Sequence, residues 1–308
     1  MGKYLFITDP IESLIIYKDT TVALIKECLQ QNIEVHYAKI NEFSINTDND
    51  LNVFSYQITE INEKIKSKKI SCNKIQYFSK VFIRKDPPFD NAYLNLTYLL
   101  EHAKKLNVEI INDPISVRSH NEKLSILNFK DIIPPTIVSA QASKIIKFIQ
   151  QKEKIILKPL DGMAGNGIFM VSLNDKNLNV IIETMTHNGK KLIMAQKYIP
   201  EIIHGDKRIM VIKGKPLPFS LARIPTDKDF RANLAKGGKG IARILSENDT
   251  KIVERVSKYL MDKKLDIVGL DVIGPYLTEI NVTSPTGIVE ITEQTNFDAA
   301  KYIINALK

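Results

Sequence analysis

The sequence predicts two architectures in series, a parallel α/β region followed by an α+β region. Three observations carry this. The N-terminal third alternates short β-branched runs with helical apolar spacing, the signature of strand–helix–strand units in a parallel sheet. Beyond Ile132-Ile133-Pro134-Pro135, strands dominate and helices stand apart from them, which is the α+β style. The 308 residues amount to roughly two domains of average size. With 44% hydrophobic and 25% charged residues, a disordered, collagen-like or coiled-coil chain is excluded.

In chain order, Lys3–Ile7 reads as a strand, residues 20–31 as a helix and 33–38 as a second strand. The polar stretch 39–80 has no sustained period and leaves room for a short hairpin. A strand at 81–83 runs into Arg84-Lys85-Asp86-Pro87-Pro88, where the Pro-Pro pair stops the strand and fixes the loop. A helix at 90–106 and a strand at 108–111 follow. After Asn112-Asp113-Pro114, two short helical patterns lead to Pro134-Pro135, inside the boundary zone between domains. In the second region helices are expected near 142–151, 178–186 and 247–263, and 208–212 pairs with 217–224 around Lys213-Gly214-Lys215-Pro216. The sequence has no internal repeat.

The balance of 43 Lys and Arg against 35 Asp and Glu gives a net charge of +8. A nucleic-acid footprint would cluster that charge and interleave it with aromatic residues. Here the basic residues are scattered, and the densest run, Lys64-Ile65-Lys66-Ser67-Lys68-Lys69, adjoins Glu60 and Glu63, so it reads as a solvated face. Only seven of the basic residues are Arg, which makes each a candidate for planar, bidentate recognition. Cys28 and Cys72 stand alone and suit a reducing compartment. The first apolar run ends at Asp9-Pro10, too soon for a signal-peptide core, so a soluble, cytoplasmic protein is expected.

Chemistry concentrates in three stretches. In residues 154–171, Gly162, Gly165 and Gly167 lie between two strand patterns. A Walker loop or dinucleotide fingerprint needs a helix after its glycines, so both readings fail. A glycine-rich turn between antiparallel strands either is a plain flexible hairpin or folds over a nucleotide, offering backbone N–H groups to phosphate oxygens. Lys158, emerging from the apolar strand before the turn, tips the balance towards phosphate.

In residues 266–282, a three-residue loop Gly274-Pro275-Tyr276 would set Leu270 opposite Ile280 and Val268 opposite Val282, giving one apolar face. Asp271 then faces Glu279, with Asn281 beside it. A two-residue turn would pair Leu270 with Glu279 and mix the faces. Opposed carboxylates repel unless a cation lies between them, and oxygen ligands with a neutral amide suit Mg²⁺. An exposed acidic strand pair is the competing reading. The third stretch, 225–240, is polar and glycine-rich, either disordered or a lid able to close over an anionic intermediate. Arg84, Arg208, Arg223 and Arg231 fall in or beside these regions. No HExxH or GxSxG pattern occurs, so zinc and hydrolase readings are weak.

The segments Ile83-Arg84-Lys85-Asp86-Pro87-Pro88-Phe89-Asp90, Asn121-Glu122-Lys123-Leu124, Ile156-Leu157-Lys158-Pro159-Leu160-Asp161-Gly162-Met163, Leu221-Ala222-Arg223-Ile224-Pro225 and Leu277-Thr278-Glu279-Ile280-Asn281-Val282-Thr283-Ser284-Pro285-Thr286 resemble the bacterial glutathione synthetase family in order and spacing, over nearly the whole chain. The resemblance implies an ATP-grasp fold: an N-terminal α/β domain at 1–122 and an ATP-grasp region at 123–308, divided near 198 and 199 into central and C-terminal subdomains, with a lid at about 225–240. It implies that Lys123 and Lys158 contact phosphates together with the loop residues Asp161, Gly162, Gly165 and Gly167. Gln196, Lys197, Tyr198 and Ile199 would line the adenine pocket, and Asp206 would hold the ribose. Asp271, Glu279 and Asn281 would bind Mg²⁺ (or Mn²⁺), and Arg208 would stand beside the transferred phosphate. Arg223 and Arg231 would hold peptide carboxylates as well as assist catalysis, with Arg84, Asp86, Asn233, Ser284 and Thr286 on the substrate side. The implied reaction joins γ-L-glutamyl-L-cysteine to glycine through an acyl phosphate, releasing ADP and phosphate, in a cytoplasmic homotetramer.

Two departures from the family pattern stand out. Ala164 replaces the first Gly of the pair that closes the family's DGMGG loop, and Ser284-Pro285-Thr286-Gly287-Ile288-Val289-Glu290 stands for SPTCIRE. Two competing functions follow from the sequence: an ATP-grasp carboxylate–amine ligase acting on a different peptide or protein C-terminus, and a basic nucleic-acid-binding or regulatory protein that binds ATP without turnover.

Overall fold

The computed structural model describes residues 2–69, 72–163, 165–226, 231–232 and 237–308. Its first region contains β1 (Lys3–Ile7), α1 (Thr20–Gln30), β2 (Glu34–Ala38), β3 (Phe43–Ile45), β4 (Leu51–Val53), β5 (Tyr56–Ile61), β6 (Ile65–Lys69), β7 (Asn73–Lys74), β8 (Lys80–Ile83), α2 (Asn91–Lys105), β9 (Glu109–Ile111) and α3 (Pro114–Ser119). The main sheet has the order β6-β5-β2-β1-β8-β9, and β2, β1, β8 and β9 run parallel. Helix α1 starts where Asp19 accepts the Thr21 and Val22 N–H groups at 2.6 and 3.4 Å, satisfying donors that have no partner within the helix.

The stretch 39–80 holds more than a hairpin. β5 and β6 form one that extends the main sheet, and β3, β4 and β7 build a separate three-stranded sheet. β6 is an edge strand of Ile-Lys-Ser-Lys-Lys whose last four residues are exposed, so it shows no apolar alternation. Lysines on an edge strand discourage pairing with other chains, and they also erase the strand signal.

The central region contains β10 (Thr136–Ser139), α4 (Ala142–Lys152), β11 (Lys154–Pro159), β12 (Phe169–Ser172), α5 (Leu178–Thr186) and β13 (Ile193–Lys197). Its antiparallel sheet, ordered β10-β13-β11-β12, shares a core with α4 and α5 through Ile145, Ile149, Leu157 and Ile182. The last region contains β14 (Asp206–Ile212), β15 (Lys215–Pro216), β16 (Phe219–Ile224), β17 (Lys239–Ile244), α6 (Glu247–Asp262), β18 (Ile267–Ile273), β19 (Tyr276–Asn281), α7 (Ile288–Gln294) and α8 (Ala299–Ala306). Its sheet has the order β17-β16-β14-β18-β19, with β15 beside β14. One apolar cluster joins Val81 and Ile83 of the first region to Val268, Leu270 and Ile280 of the last, so the N-terminal unit and the C-terminal sheet share a core.

The β18–β19 hairpin keeps the expected facing residues by a different route. Leu270 pairs with Ile280 and Asp271 with Glu279, but Ile273 pairs with Tyr276, leaving the two-residue turn Gly274-Pro275. A bulge at Thr278 absorbs the extra residue and preserves both faces, its hydroxyl donating to the Asp271 carbonyl at 3.1 Å. The three-residue loop is therefore corrected to a tight turn plus a bulge. Gly274, at φ +54°, supplies the left-handed first position of such a turn. Among the described residues no helix is long and apolar enough to cross a membrane.

Candidate active site

Between the central sheet and the C-terminal sheet lies a cavity of about 310 Å³. Strand alternation explains its chemistry. Asp206 and Arg208 are two apart on β14 and Asp271 and Ile273 two apart on β18, and the ladder sets Arg208 opposite Asp271 and Asp206 opposite both Arg223 and Ile273. Asp271 in turn faces Glu279. One face of four strands thus carries three carboxylates and two guanidinium groups into the same cavity. Opposite, Ile156 and Lys158 project from β11, and Gln196 and Lys197 end β13. Ile156, Ile199 and Ile273 leave one part of the cavity apolar, beside Asp206.

The charges are closely paired. Arg208 grips Asp271 with Nε to Oδ1 at 2.6 Å and Nη2 to Oδ2 at 3.2 Å, the bidentate geometry peculiar to Arg. Arg223 Nη2 bridges Asp206 Oδ2 at 2.6 Å and Asp271 Oδ2 at 2.9 Å. Burial would raise the Asp271 carboxyl, but the two guanidinium groups outweigh it and hold Asp271 well below the usual carboxylate range. Arg223 gains charge stability from Asp206 and Asp271 in spite of its burial. Asp206 is pushed up to about 6 by burial, and its Oδ1 takes no hydrogen bond among the described residues.

Lys123 joins the two walls, its Nζ donating to Glu279 Oε1 at 2.9 Å and to the Gly162 carbonyl at 2.6 Å. Burial opposes the Lys123 charge, yet Glu279 more than compensates and raises it. Lys158 donates to Gln196 Oε1 at 2.7 Å, and its ammonium is weakened by burial and by Lys123. Gly162 has no room for a side chain, since a Cβ would lie 2.6 Å from Pro159 Cγ. Arg231 Nη1 donates to the Gly165 carbonyl at 2.9 Å.

Asp271, Glu279 and Asn281 fit a hard divalent cation. Asn281 Nδ2 donates to the Gly269 carbonyl at 3.1 Å, which directs the amide oxygen the other way. Glu279 spends only Oε1 on Lys123. Two carboxylates and an amide oxygen leave the rest of an octahedral shell to water and phosphate, as Mg²⁺ prefers. Among the described residues no cluster of three or more His, Cys, Asp and Glu gathers.

Of the expected site residues, Asp86, Ser284 and Thr286 also line the cavity, as do Tyr198 and Gly165. Three take other positions. Asp161 turns outward to Lys191 at 3.0 Å. Gly167, at φ +67°, shapes the loop beside Pro159. Arg84 is buried behind the wall, donating to Thr21 Oγ1 at 3.1 Å and to the Pro285 carbonyl at 3.0 Å, so it supports the Ser284–Thr286 loop from behind. Asn233, Ala164 and, within the expected lid, 227–230 and 233–236 lie outside the described residues. Sequence reasoning missed Glu122, Thr278 and Thr283, which also line the cavity. It missed the role of Gly269 too: a Cβ there would lie 2.8 Å from Arg208 Cδ, and a Gly inside a strand is the available signal for such close approach.

Residues 3–118 match the family model described as prokaryotic glutathione synthetase, N-terminal domain, and residues 122–296 the model for its ATP-grasp domain. The chain belongs to the prokaryotic glutathione synthetase family. Similar proteins named glutathione synthetase include that of Nitrosomonas europaea, 43% identical with 99% of this chain and 97% of the relative covered. Another, from Vibrio parahaemolyticus, is 42% identical with 100% and 98% covered. Among solved structures, D-cycloserine synthetase DcsG matches with a TM-score of 0.67 at 14% identity, covering 99% of this chain and 98% of that one. The ATP-grasp ligase PsnB, complexed with minimal precursor, Mg and ADP, matches with a TM-score of 0.62 at 12% identity, covering 99% and 96%. These likenesses place the glutathione synthetase family member in the ATP-grasp fold.

Proposed function

We propose that this chain is an ATP-dependent carboxylate–amine ligase that joins γ-L-glutamyl-L-cysteine to glycine, releasing ADP and phosphate. Full-length similarity to proteins named glutathione synthetase supports the substrates. The observation that carries the reaction type is the cavity in which Lys123, Lys158, Arg208 and Arg223 converge on a carboxylate pair able to hold Mg²⁺. The adenine lies at the apolar part, against Ile156 and the backbone of Gln196, Lys197, Tyr198 and Ile199, with Asp206 at the ribose. Lys123, Lys158, Gly162 and Gly165 receive the phosphates, Gly167 shapes their loop, and Asp271, Glu279 and Asn281 hold Mg²⁺. The ion, when bound there, would supply positive charge to offset that of the phosphates.

Attack of a donor carboxylate on the γ-phosphorus brings anion against anion. Arg208 and Arg223 offset that repulsion, and being already held by Asp271 and Asp206 they need little reorganisation to do so. The new carboxylate oxygen–phosphorus bond forms as the bond to the β-phosphate oxygen breaks and ADP leaves, giving the acyl phosphate. The glycine amine then attacks the acyl carbon, loses a proton to solvent, and the tetrahedral adduct expels inorganic phosphate. Arg231, with Arg223, orients the peptide carboxylates, while Asp86, Ser284 and Thr286 face the peptide. Water would hydrolyse the activated acyl group, which gives closure over the cavity its purpose. A cytoplasmic homotetramer completes the proposal. Coupled ADP release, with each substrate omitted in turn, tests it. Dependence on both γ-glutamylcysteine and glycine is expected, and ADP release indifferent to them overturns the substrate assignment.

A further inference from the structure

β19 ends its sheet, yet its outer edge is occupied by the segment that leads out of the N-terminal region. The Ile280 N–H donates to the Glu122 carbonyl at 3.0 Å, and His120 Nε2 lies 3.2 Å from the Ile280 carbonyl. Asn112 Nδ2 donates to the Val282 carbonyl at 2.8 Å. One atom does the most: Glu122 Oε1 accepts the Val282 N–H at 2.8 Å, the Thr283 N–H at 3.1 Å and the Thr283 hydroxyl at 2.9 Å.

In an extended strand successive N–H groups point to opposite sides. Two consecutive N–H groups converging on one oxygen mean that the chain has left the strand and turned at Val282-Thr283. The turn follows Asn281 directly and sends Ser284–Thr286 along the cavity wall, where Arg84 takes the Pro285 carbonyl. A carboxylate oxygen is the acceptor best able to hold three donors at once.

We propose that Glu122 is a positioning residue: its carboxylate fixes the turn at Val282-Thr283 and so places Asn281 and the Ser284–Thr286 loop for the reaction. This rests on the ligase reading above. It predicts that Glu122→Ala lowers kcat/KM for the dipeptide about 10–100-fold while the KM for ATP changes no more than about threefold. Glu122→Gln keeps an oxygen for the same three donors and restores kcat/KM to within about threefold of wild type. Thr283→Val removes one donor without stranding a carboxylate, and gives a smaller loss of the same kind. Amide hydrogen exchange on the full-length protein reports the turn itself. Exchange at Val282 and Thr283 accelerates in Glu122→Ala, stays at the wild-type rate in Glu122→Gln, and is unchanged along β18 in both.

Equal impairment of Glu122→Gln and Glu122→Ala overturns the proposal, since the charge would then act directly on the reacting groups. So does exchange at Val282 and Thr283 that ignores Glu122→Ala. Wild-type protein giving no ADP with γ-glutamylcysteine and glycine removes the ligase reading instead, and the exchange comparison then decides whether Glu122 holds the turn.

Discussion

At the scale of single residues, the two candidate metal carboxylates differ in what else they hold. Asp271 is 4% exposed and pairs with two guanidinium groups. Removing one member of a buried pair leaves an uncompensated charge, so Asp271→Asn is expected to cost about 3–5 kcal/mol in urea unfolding, besides abolishing turnover. The Glu279 side chain is 22% exposed and, among the described residues, forms its ion pair with Lys123. Glu279→Gln is expected to lose a smaller share of stability but on the order of 100-fold or more in magnesium-dependent kcat, read by ADP release. Turnover at the wild-type rate in Glu279→Gln would refute the metal assignment. His120 gives a different test. Burial holds its imidazole at about 4, below the ordinary 6.5. The unfolded chain therefore binds the extra proton between those values, and the stability due to neutral His120, at most about 3 kcal/mol, is complete above 6.5 and lost as pH falls towards 4. Its ring NMR shifts are expected to stay those of neutral imidazole down to about pH 5.

At the scale of elements, the glycine loop is tight where it meets β11. Gly162→Ala forces Pro159 or the loop to move, and an expected rise of about tenfold in the KM for ATP, with little change in melting temperature, would mark a phosphate-side defect. An unchanged KM would take Gly162 out of the phosphate loop. The β18–β19 hairpin shows what the sequence reveals at this scale and what it hides. Apolar alternation reveals which faces are apolar, so Asp271 opposite Glu279 was legible. Turn length was not, because a bulge at Thr278 and a tighter turn satisfy the same alternation as a longer loop. The strands of 39–80 were illegible for a simpler reason, being short and polar, with β6 on an exposed edge. Helices α7 and α8 went unread as well, although Ile288, Ile303 and Ile304 are buried against the N-terminal region.

At the scale of the molecule, the cavity is made by two sheets meeting, so a ligand there bridges regions that fold around separate strands. Anything that binds only the folded form stabilises it by mass action. Mg²⁺ with ADP at about 100 times its Kd is expected to add about 2.7 kcal/mol, seen as a rise in melting temperature that Glu279→Gln loses. A rise that persists without Mg²⁺ would detach the metal from nucleotide binding. The convergence of Lys123, Lys158, Arg208 and Arg223 was implied by the family resemblance, with Lys158 alone marked by its place before the glycine turn. The place of Arg84 was not, since only the packed structure reveals that its guanidinium meets the Pro285 carbonyl from behind.

The strap that covers β19 bears on modularity. The family models divide this chain between residues 118 and 122, but the strap straddles that divide, with Asn112 on one side, His120 within it and Glu122 on the other. Severing the protein there would bare a strand edge that solvent or a foreign strand would contest. The two halves are therefore poor candidates for exchange between relatives as independent cassettes, unless the whole of residues 112–135 travels with the C-terminal portion.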